Sequence, residues 1–507
     1  MAQRFVHRHL ESGDGGRVAL VTPGRHWTYA ELAELVDRCG NALLTCGVQQ
    51  GDRVLLALSD SIEFVALWFA AQKIGAVTAE VYTFLQPKDY AYYLAYTAAR
   101  VVAVDATTID AVRQALRDIE TRPTLLSTTA GNATEGGEHD LFSLLESSPA
   151  QLDAAPLTLD DVAIWKFTTG STGRPKACVH RLRSPIRSFE NYATGVLGLR
   201  RHDSVLAVPK LFFGYARDLV ALFPLGVAAR GIVFPERSTP ERIFDLIERE
   251  RPSILVNVPT MMQAMLDHPS APSRDLSSLR LCTSAGEALP EALHRRWLDI
   301  FGVEVLDGIG SSEAYHIYIS NRPGRARIGT MGECVPGYDA VVADPDGNPL
   351  PDGETGRLWI QGDTAAIMYW GDEARSRETF GENLVRSGDL ATRDGDGYFH
   401  YRGRVDDMLK VGGIWVAPAE VERCILERDD VVECAVVGVE RDGLVAGRAY
   451  VVARASTDLL SAGDIRDHVR QRLAPHKVPD EVCIVASLPR TGSGKVDRAA
   501  LRAGAAT

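Results

Sequence analysis

Residues 168 to 176 run Thr168, Thr169, Gly170, Ser171, Thr172, Gly173, Arg174, Pro175, Lys176. Glycines let backbone N–H groups turn toward a ligand, hydroxyls add donors and a lysine adds charge, so the run suits a polyphosphate. It is not a Walker loop, whose G-x-x-x-x-G-K-[ST] order is missing. A second run, Asp307-Gly308-Ile309-Gly310-Ser311-Ser312-Glu313, starts like a dinucleotide fingerprint. Glu313 stands where the third glycine is required, which rejects that reading. A carboxylate after two small hydroxyl residues suits Mg²⁺ beside phosphates instead. The third pair of segments is Arg386-Ser387-Gly388-Asp389-Leu390 and Arg402-Gly403-Arg404-Val405-Asp406-Asp407. A carboxylate there can accept both hydroxyls of a ribose, and an arginine can donate to ribose or phosphate. The fourth, Pro489 to Lys495, places a lysine beside Gly492 and Gly494, which would let it swing into a cleft. Taken singly, each segment reads as readily as a turn or a surface loop. Their order and separation give them joint weight.

Elements with the period of strands and amphipathic helices surround these segments. Thr28-x-x-Glu31 predicts a capping box opening a helix through about Cys46. A strand is expected at Val54–Leu58, a helix over Ile62–Ile74 ended by Gly75, and a strand at Val101–Val104. Val162 to Phe167 reads as the strand leading into the phosphate-type loop, and 127–140 as a polar surface loop. Beyond residue 340, dense Asp-Gly and Pro-Asp-Gly turns bracket short strands such as Gly356–Gln361 and Tyr398–Tyr401, the texture of a compact β unit. The last hundred residues read as a separate small domain. They show a helix from Pro418, strands at Glu433–Val439, Arg448–Ala453 and Val482–Ala486, and a helix over Ser461–Leu473. The fold class is α/β, in part α+β: a large N-terminal domain of helix-flanked sheets over 1–405 and a small C-terminal domain over 406–507.

Composition narrows the function. The chain has 507 residues, 45% hydrophobic and 24% charged, with net charge −12, which argues against a broad nucleic-acid or anionic-membrane surface. Eight cysteines without a C-x-x-C pair suggest reduced thiols, not a disulfide scaffold or a zinc site. No stretch reaches the ~18 apolar residues of a membrane span, and the N-terminus lacks a signal core, so a cytoplasmic location is expected.

Together the four segments resemble the adenylate-forming superfamily of acyl- and aryl-CoA synthetases, luciferase and peptide-synthetase adenylation domains. Phe212-Phe213-Gly214-Tyr215 and the stretch from Asp307 to Ile317 are most similar to its benzoate-CoA ligase branch. The resemblance implies an enzyme that turns a small aromatic acid and MgATP into acyl-AMP and pyrophosphate, then passes the acyl group to coenzyme A. It implies that the 168–176 loop, including Lys176, holds the β- and γ-phosphates. Glu313 would bind Mg²⁺ and Ser312 the α-phosphate. Ser284, Ala285, Gly286 and Glu287 with Asp307, Gly308 and Ile309 would enclose adenine, and Asp389 and Arg404 would hold the ribose. Lys495 would stabilise charge in adenylation and Asp406 would be the hinge. Gly412 and Gly413 would line the pantetheine tunnel. Phe213, Gly214, Tyr215, Gly310, Ala314 and His316 would wall the acyl pocket.

The chain departs from that pattern in places. Lys176 is followed by Ala177 instead of glycine, and Gly214 and Ala314 are smaller than usual. That smallness predicts an acid larger than benzoate, a substituted benzoate or a bicycle. Arg217 and Asp218 stand where uncharged residues are expected. An alternative acceptor for the acyl group is the phosphopantetheine of a carrier protein. No nucleic-acid or membrane partner is expected, and the oligomeric state would be monomer or homodimer.

Overall fold

The computed structural model describes residues 1–129, 138–169, 175–411, 414–441, 444–454, 460–491 and 495–504. Two large sheets dominate. An eight-stranded sheet has Arg53–Ala57 and Val101–Val104 near its centre, then Val77–Glu80, Val162–Thr169 and Pro175–Arg181, with Met368–Tyr369 at one edge. Its inner strands are parallel and buried on both faces, which is why Val101–Val104 reads as an unbroken apolar run. A nine-stranded sheet places Ile254–Asn257, Leu281–Ser284 and Val305–Gly310 side by side and parallel, then turns back through Ile317–Ser320.

Helices pack on these sheets. Ile62–Lys73 is apolar on nearly every face and lies buried, as a helix inserted between layers must be. Tyr29–Thr45 starts at the expected capping box. The Glu31 amide donates to Thr28 Oγ1 at 3.2 Å, and Glu31 Oε2 accepts from the Thr28 amide at 2.7 Å. Turn-rich residues beyond 337 form a five-stranded antiparallel sheet built on Tyr338–Ala343, Gly356–Gly362, Leu384–Arg393 and Phe399–Arg404. The C-terminal part is α+β. Val431–Arg441, Leu444–Ala453 and Glu481–Val485 make a three-stranded sheet, covered by Pro418–Ile425 and Ala462–Arg472. Within the expected 127–140 loop, Glu138–Asp140 is instead a strand parallel to Thr124–Ser127. Arg113 anchors it through Glu138 at 2.7 Å, a long-range pair that a local reading of polar residues does not reveal. No helix among the described residues is long and apolar enough to cross a membrane.

Thr28→Ala removes one side of the capping box. It should lower unfolding stability by about 1 kcal/mol, read as a shift in urea midpoint at constant slope. An unchanged midpoint would mean that this helix end is held by packing alone.

Candidate active site

The two strands flanking the phosphate-type loop pair antiparallel, with Thr168 opposite Lys176. Gly170, Ser171, Thr172 and Gly173, the side chain of Thr169, the tunnel residues Gly412 and Gly413, and Gly492 and Gly494 lie outside the described residues. Lys176 Nζ sits 4.3 Å over the ring of Tyr369, whose hydroxyl donates to Glu313 Oε1 at 2.8 Å. Tyr369 therefore holds Lys176 and Glu313 at one place. The other oxygen of Glu313 has no protein partner among the described residues. Ser312 Oγ donates to the Phe167 carbonyl at 3.3 Å, and the Ser312 carbonyl accepts from His180 Nε2 at 2.7 Å. Burial holds His180 near a pKa of about 3, so it is a neutral strut. Cys178, two residues beyond Lys176, is fully buried. Burial first, and Glu313 second, push its thiol well above the ordinary range.

Asp389 and Arg404 are cross-strand partners in the β unit, with Nη1 and Oδ1 3.3 Å apart. Burial raises the Asp389 pKa, Arg404 and Lys495 oppose that rise, and Glu313 adds to it. Glu313, Asp389, Arg404 and Lys495 thus share one electrostatic neighbourhood, although they come from distant parts of the chain. Lys495 is exposed, in a turn where Arg490 bridges Val496 and the Thr491 amide donates to the Lys495 carbonyl at 2.8 Å. Asp406 is exposed in the single turn Val405–Asp407, directly after Arg404. Its neighbour Asp407 pairs with Arg502 at 3.0 Å.

Ser284 and Asp307 face each other on adjacent strands. Burial pushes Asp307 up to about 8, with the Ser284 hydroxyl opposing. Ala285 is buried beside them, and Gly286 takes φ +90°, a turn that favours glycine. Glu287 accepts from the amide and hydroxyl of Thr260, at 3.2 and 2.6 Å, and so fixes the end of the Pro259–Leu266 helix. Gly308 and Ile309 run along the strand edge opposite Ser320 and Ile319.

Phe213, Gly214 and Tyr215 open the short helix Gly214–Arg217, with Phe213 against Tyr82 and Phe212. Tyr215 and Thr283 share a hydroxyl hydrogen bond of 2.6 Å. The His316 ring packs among Tyr192, Tyr215 and Phe223, with centroids 5.4, 5.8 and 5.0 Å away. Burial brings its pKa to about 3. A Cβ on Gly310 would lie 2.5 Å from the His316 carbonyl oxygen, so glycine is needed for this close approach. Ala314 is buried, and its carbonyl accepts from Thr364.

The expected vacancy beside Gly214 is not there. A Cβ on Gly214 would lie 2.1 Å from Cε and 2.4 Å from Nζ of Lys166, so the lysine fills the space that an alanine would take. Lys166 Nζ donates to the Tyr315 carbonyl, lies 3.4 Å from Asp218 Oδ2 and sits 3.8 Å over the Tyr315 ring. Asp218 pairs with Arg217 at 2.8 Å, and Arg217 with Glu80 at 2.6 Å. Trp68 Nε1 donates to Glu80 at 2.6 Å, and the Tyr315 hydroxyl donates to Asp218 at 3.2 Å. The two unexpected charges at 217 and 218 thus belong to a buried cluster of two cations and two carboxylates. Burial lowers Lys166 to about 8 against the pull of Asp218. Burial alone would raise Asp218, yet Arg217 and Lys166 outweigh it and hold it below the usual range. Tyr315 keeps a left-handed φ of +75°, uncommon for a bulky residue. A motif reading misses Lys166, Glu80, Tyr369 and His180. A lysine inside an apolar strand was the available signal for the first.

Residues 8–370 match the family model for AMP-binding enzyme, and residues 420–495 that for the AMP-binding enzyme C-terminal domain. The chain is 40% identical to a benzoate--CoA ligase of Thauera aromatica, over 99% of this chain and 95% of that one. The crystal structure of a benzoate CoA ligase from Burkholderia xenovorans LB400 superimposes with a TM-score of 0.90 at 37% identity, covering 98% of this chain and 99% of that one. The anthranilate CoA ligase AuaEII, solved in complex with anthranoyl-AMP, gives a TM-score of 0.92 at 35% identity, covering 99% and 96%.

Because the atoms crowding Gly214 are the far end of a flexible side chain, Gly214→Ala should displace the lysine and leave the backbone in place. We expect a loss of about 1–3 kcal/mol on unfolding. In a Lys166→Ala background the same change should cost at least about 1 kcal/mol less, a coupling read from a double-mutant cycle. Additive losses would show that the two residues do not compete for space.

Proposed function

The chain belongs to the AMP-binding enzyme family, and from that membership we propose that it is an ATP-dependent aryl-CoA ligase. A small aromatic carboxylate attacks the α-phosphorus of ATP. The bond to the bridging oxygen breaks and pyrophosphate leaves, giving acyl-AMP. The sulfur of coenzyme A then attacks the acyl carbonyl, AMP departs with the bonding electrons and the thiol proton goes to solvent. Adenylation is needed because a free carboxylate is a poor acyl donor. The observation that carries this reading is the likeness to CoA ligases along nearly the whole chain, beside the paired Asp389 and Arg404 and the Glu313 carboxylate held by Tyr369.

Roles follow from chemistry and position. Asp389, paired to Arg404, presents a carboxylate to ribose hydroxyls. Lys176 and the 168–174 loop hold the terminal phosphates, with Ser312 beside the α-phosphate. Ser284 to Glu287 and Asp307 to Ile309 flank adenine. Phe213, Tyr215 and His316 wall the ring of the acid, with flat faces suited to an aromatic. Gly412 and Gly413 line the path of the pantetheine arm. Glu313, with one oxygen on Tyr369 and the other unpartnered, has the donor type that Mg²⁺ takes. When bound there the ion would neutralise phosphate charge. Lys495 meets negative charge developing at the α-phosphate, a preorganised electrostatic contribution. The large unit ends at residue 405 and the small one begins at Asp406, whose exposed turn is the hinge. Coenzyme A is the acceptor favoured by the likeness to CoA ligases along nearly the whole chain. ATP–pyrophosphate exchange with a panel of aromatic acids tests the first step. Thioester formation on free coenzyme A, set against acylation of a carrier protein, tests the second. No exchange with any aromatic acid would sink the proposal.

Lys495→Ala should slow adenylation by about 10²–10³ and spare thioester formation from supplied acyl-AMP. A variant equally inactive with acyl-AMP would overturn that assignment. Asp406→Pro fixes φ near −65° and removes a backbone N–H. A hinge needs two backbone states, so adenylate should still form while thioester formation fails. Equal loss of both steps, or of neither, would place the hinge elsewhere.

A further inference from the structure

We propose that Cys424, Glu427 and His468 form a zinc site in the C-terminal part of the chain, with a water in the fourth position. The inference stands apart from the ligase reading, since none of the three belongs to the segments assigned to ATP, the acid or coenzyme A. One ligand atom from each residue lies within 4.8 Å of those of the other two, the one place among the described residues where three Cys, His, Asp or Glu side chains converge in this way. Spacing along the chain hides the site, because His468 comes 44 residues after Cys424. The fold brings them together. Cys424 lies in the last turn of the Pro418–Ile425 helix, Glu427 just beyond it, and His468 in the middle of Ala462–Arg472. Val421 and Ile425 of the first helix share a core with Ile465 and Val469 of the second, which fixes the pair. His468 Nε2 stands 2.9 Å from the Cys424 carbonyl oxygen and 3.9 Å from Glu427 Oε2. Cys424 is a buried free thiol, while Glu427 is half exposed and leaves an approach from solvent.

Donor chemistry selects the ion. A thiolate and an imidazole with one carboxylate suit Zn²⁺, whereas Mg²⁺ and Ca²⁺ take sets of oxygens. Zinc bonds of about 2.0–2.3 Å in a tetrahedron put the ligand atoms about 3.5 Å apart. Closing the present separation to that value takes about 1 Å of side-chain movement, which the exposed Glu427 has room to make. On binding, the Cys424 thiol proton passes to solvent. The neutral imidazole offers the lone pair of one ring nitrogen and keeps its hydrogen on the other. Thiolate and carboxylate then neutralise the two positive charges of the ion. Two arginines stand nearby. Arg472 Nε lies 3.3 Å from Glu427 Oε2, but its side chain is itself nearly half exposed and can turn to water. Arg428 is committed to Asp430 at 2.6 Å.

The test titrates the reduced, full-length protein with Co²⁺ and then Zn²⁺, with Mg²⁺ in excess throughout. About one Co²⁺ per chain should bring a thiolate-to-cobalt charge-transfer band and the strong visible absorption of a tetrahedral ion, both lost when stoichiometric Zn²⁺ is added. Cys424→Ala should remove the charge-transfer band and weaken Zn²⁺ binding more than about hundredfold, since even the outer partners of a metal ligand typically contribute about 10–100-fold. Glu427→Gln, on a half-exposed side chain, should weaken it at least about tenfold and carries the test if the first variant does not fold. Zn²⁺ should also raise the urea midpoint of the wild type and leave that of Glu427→Gln nearly unmoved at the same concentration. No charge-transfer band in the wild type, a band that survives in Cys424→Ala, or a Zn²⁺ affinity unchanged in Glu427→Gln overturns the proposal. None of these results bears on the aryl-CoA ligase reading, which the exchange and thioester assays decide.

Discussion

The buried charges of Glu80, Lys166, Arg217 and Asp218 are the constraint on which the segments proposed to wall the acyl pocket depend. Glu80 ends one strand of the eight-stranded sheet and Lys166 lies within another, while Arg217 and Asp218 follow Phe213–Tyr215. Tyr315 comes from the turn between two strands of the other large sheet. The cluster therefore fastens both sheets to the pocket. Its worth is not net stability. Desolvating four ions offsets most of their attraction, whereas removing one partner typically costs about 3–5 kcal/mol because another charge is stranded. Such an arrangement fixes one geometry and penalises every other. The left-handed backbone of Tyr315 fits that account. A strained residue of this kind costs on the order of 1–3 kcal/mol and persists only where surroundings over-determine it. Here the ring lies under Lys166, the hydroxyl reaches Asp218 and the carbonyl holds the ammonium.

The groups proposed to hold the nucleotide are organised differently. They are few, partly exposed and drawn from separate elements. Asp389 and Arg404 sit on paired strands at the end of the β unit, and the chain turns at Asp406 immediately afterwards. The C-terminal part leans back on the large unit through Arg454 and Asp267, 3.1 Å apart. This ion pair, with both side chains about a third exposed, is a weak tie, typically worth at most about 1 kcal/mol. The rotation we propose about the turn at Asp406 would need ties of this strength.

The sequence made the α/β class, the capping box at Thr28 and the Val101–Val104 strand legible, because each is written in adjacent residues. The acyl pocket was less legible for a physical reason. Small residues at 214 and 314 say that a side chain is missing from those positions. They do not say what arrives from another strand, and at Gly214 it is Lys166. Arg217 and Asp218 were visible as anomalies, yet their partners Glu80 and Lys166 lie far away in the chain and only the sheet brings them near. Tyr369 and His180 escaped for the same reason, since neither belongs to a motif and each acts by holding a residue that does.

The burial of Cys178 bears on chemoselectivity at the proposed site. An acyl-AMP is an electrophile made to be captured by sulfur, and Cys178 lies two residues beyond Lys176, which we propose to hold the phosphates. The thiolate, not the thiol, is the nucleophile. With its proton held by burial and by the negative charge of Glu313, Cys178 stays inert where an accessible, ionisable thiol would be acylated and would end turnover. An acyl-AMP formed at the proposed site would thereby be spared capture by the chain itself and would survive until an external thiol arrives.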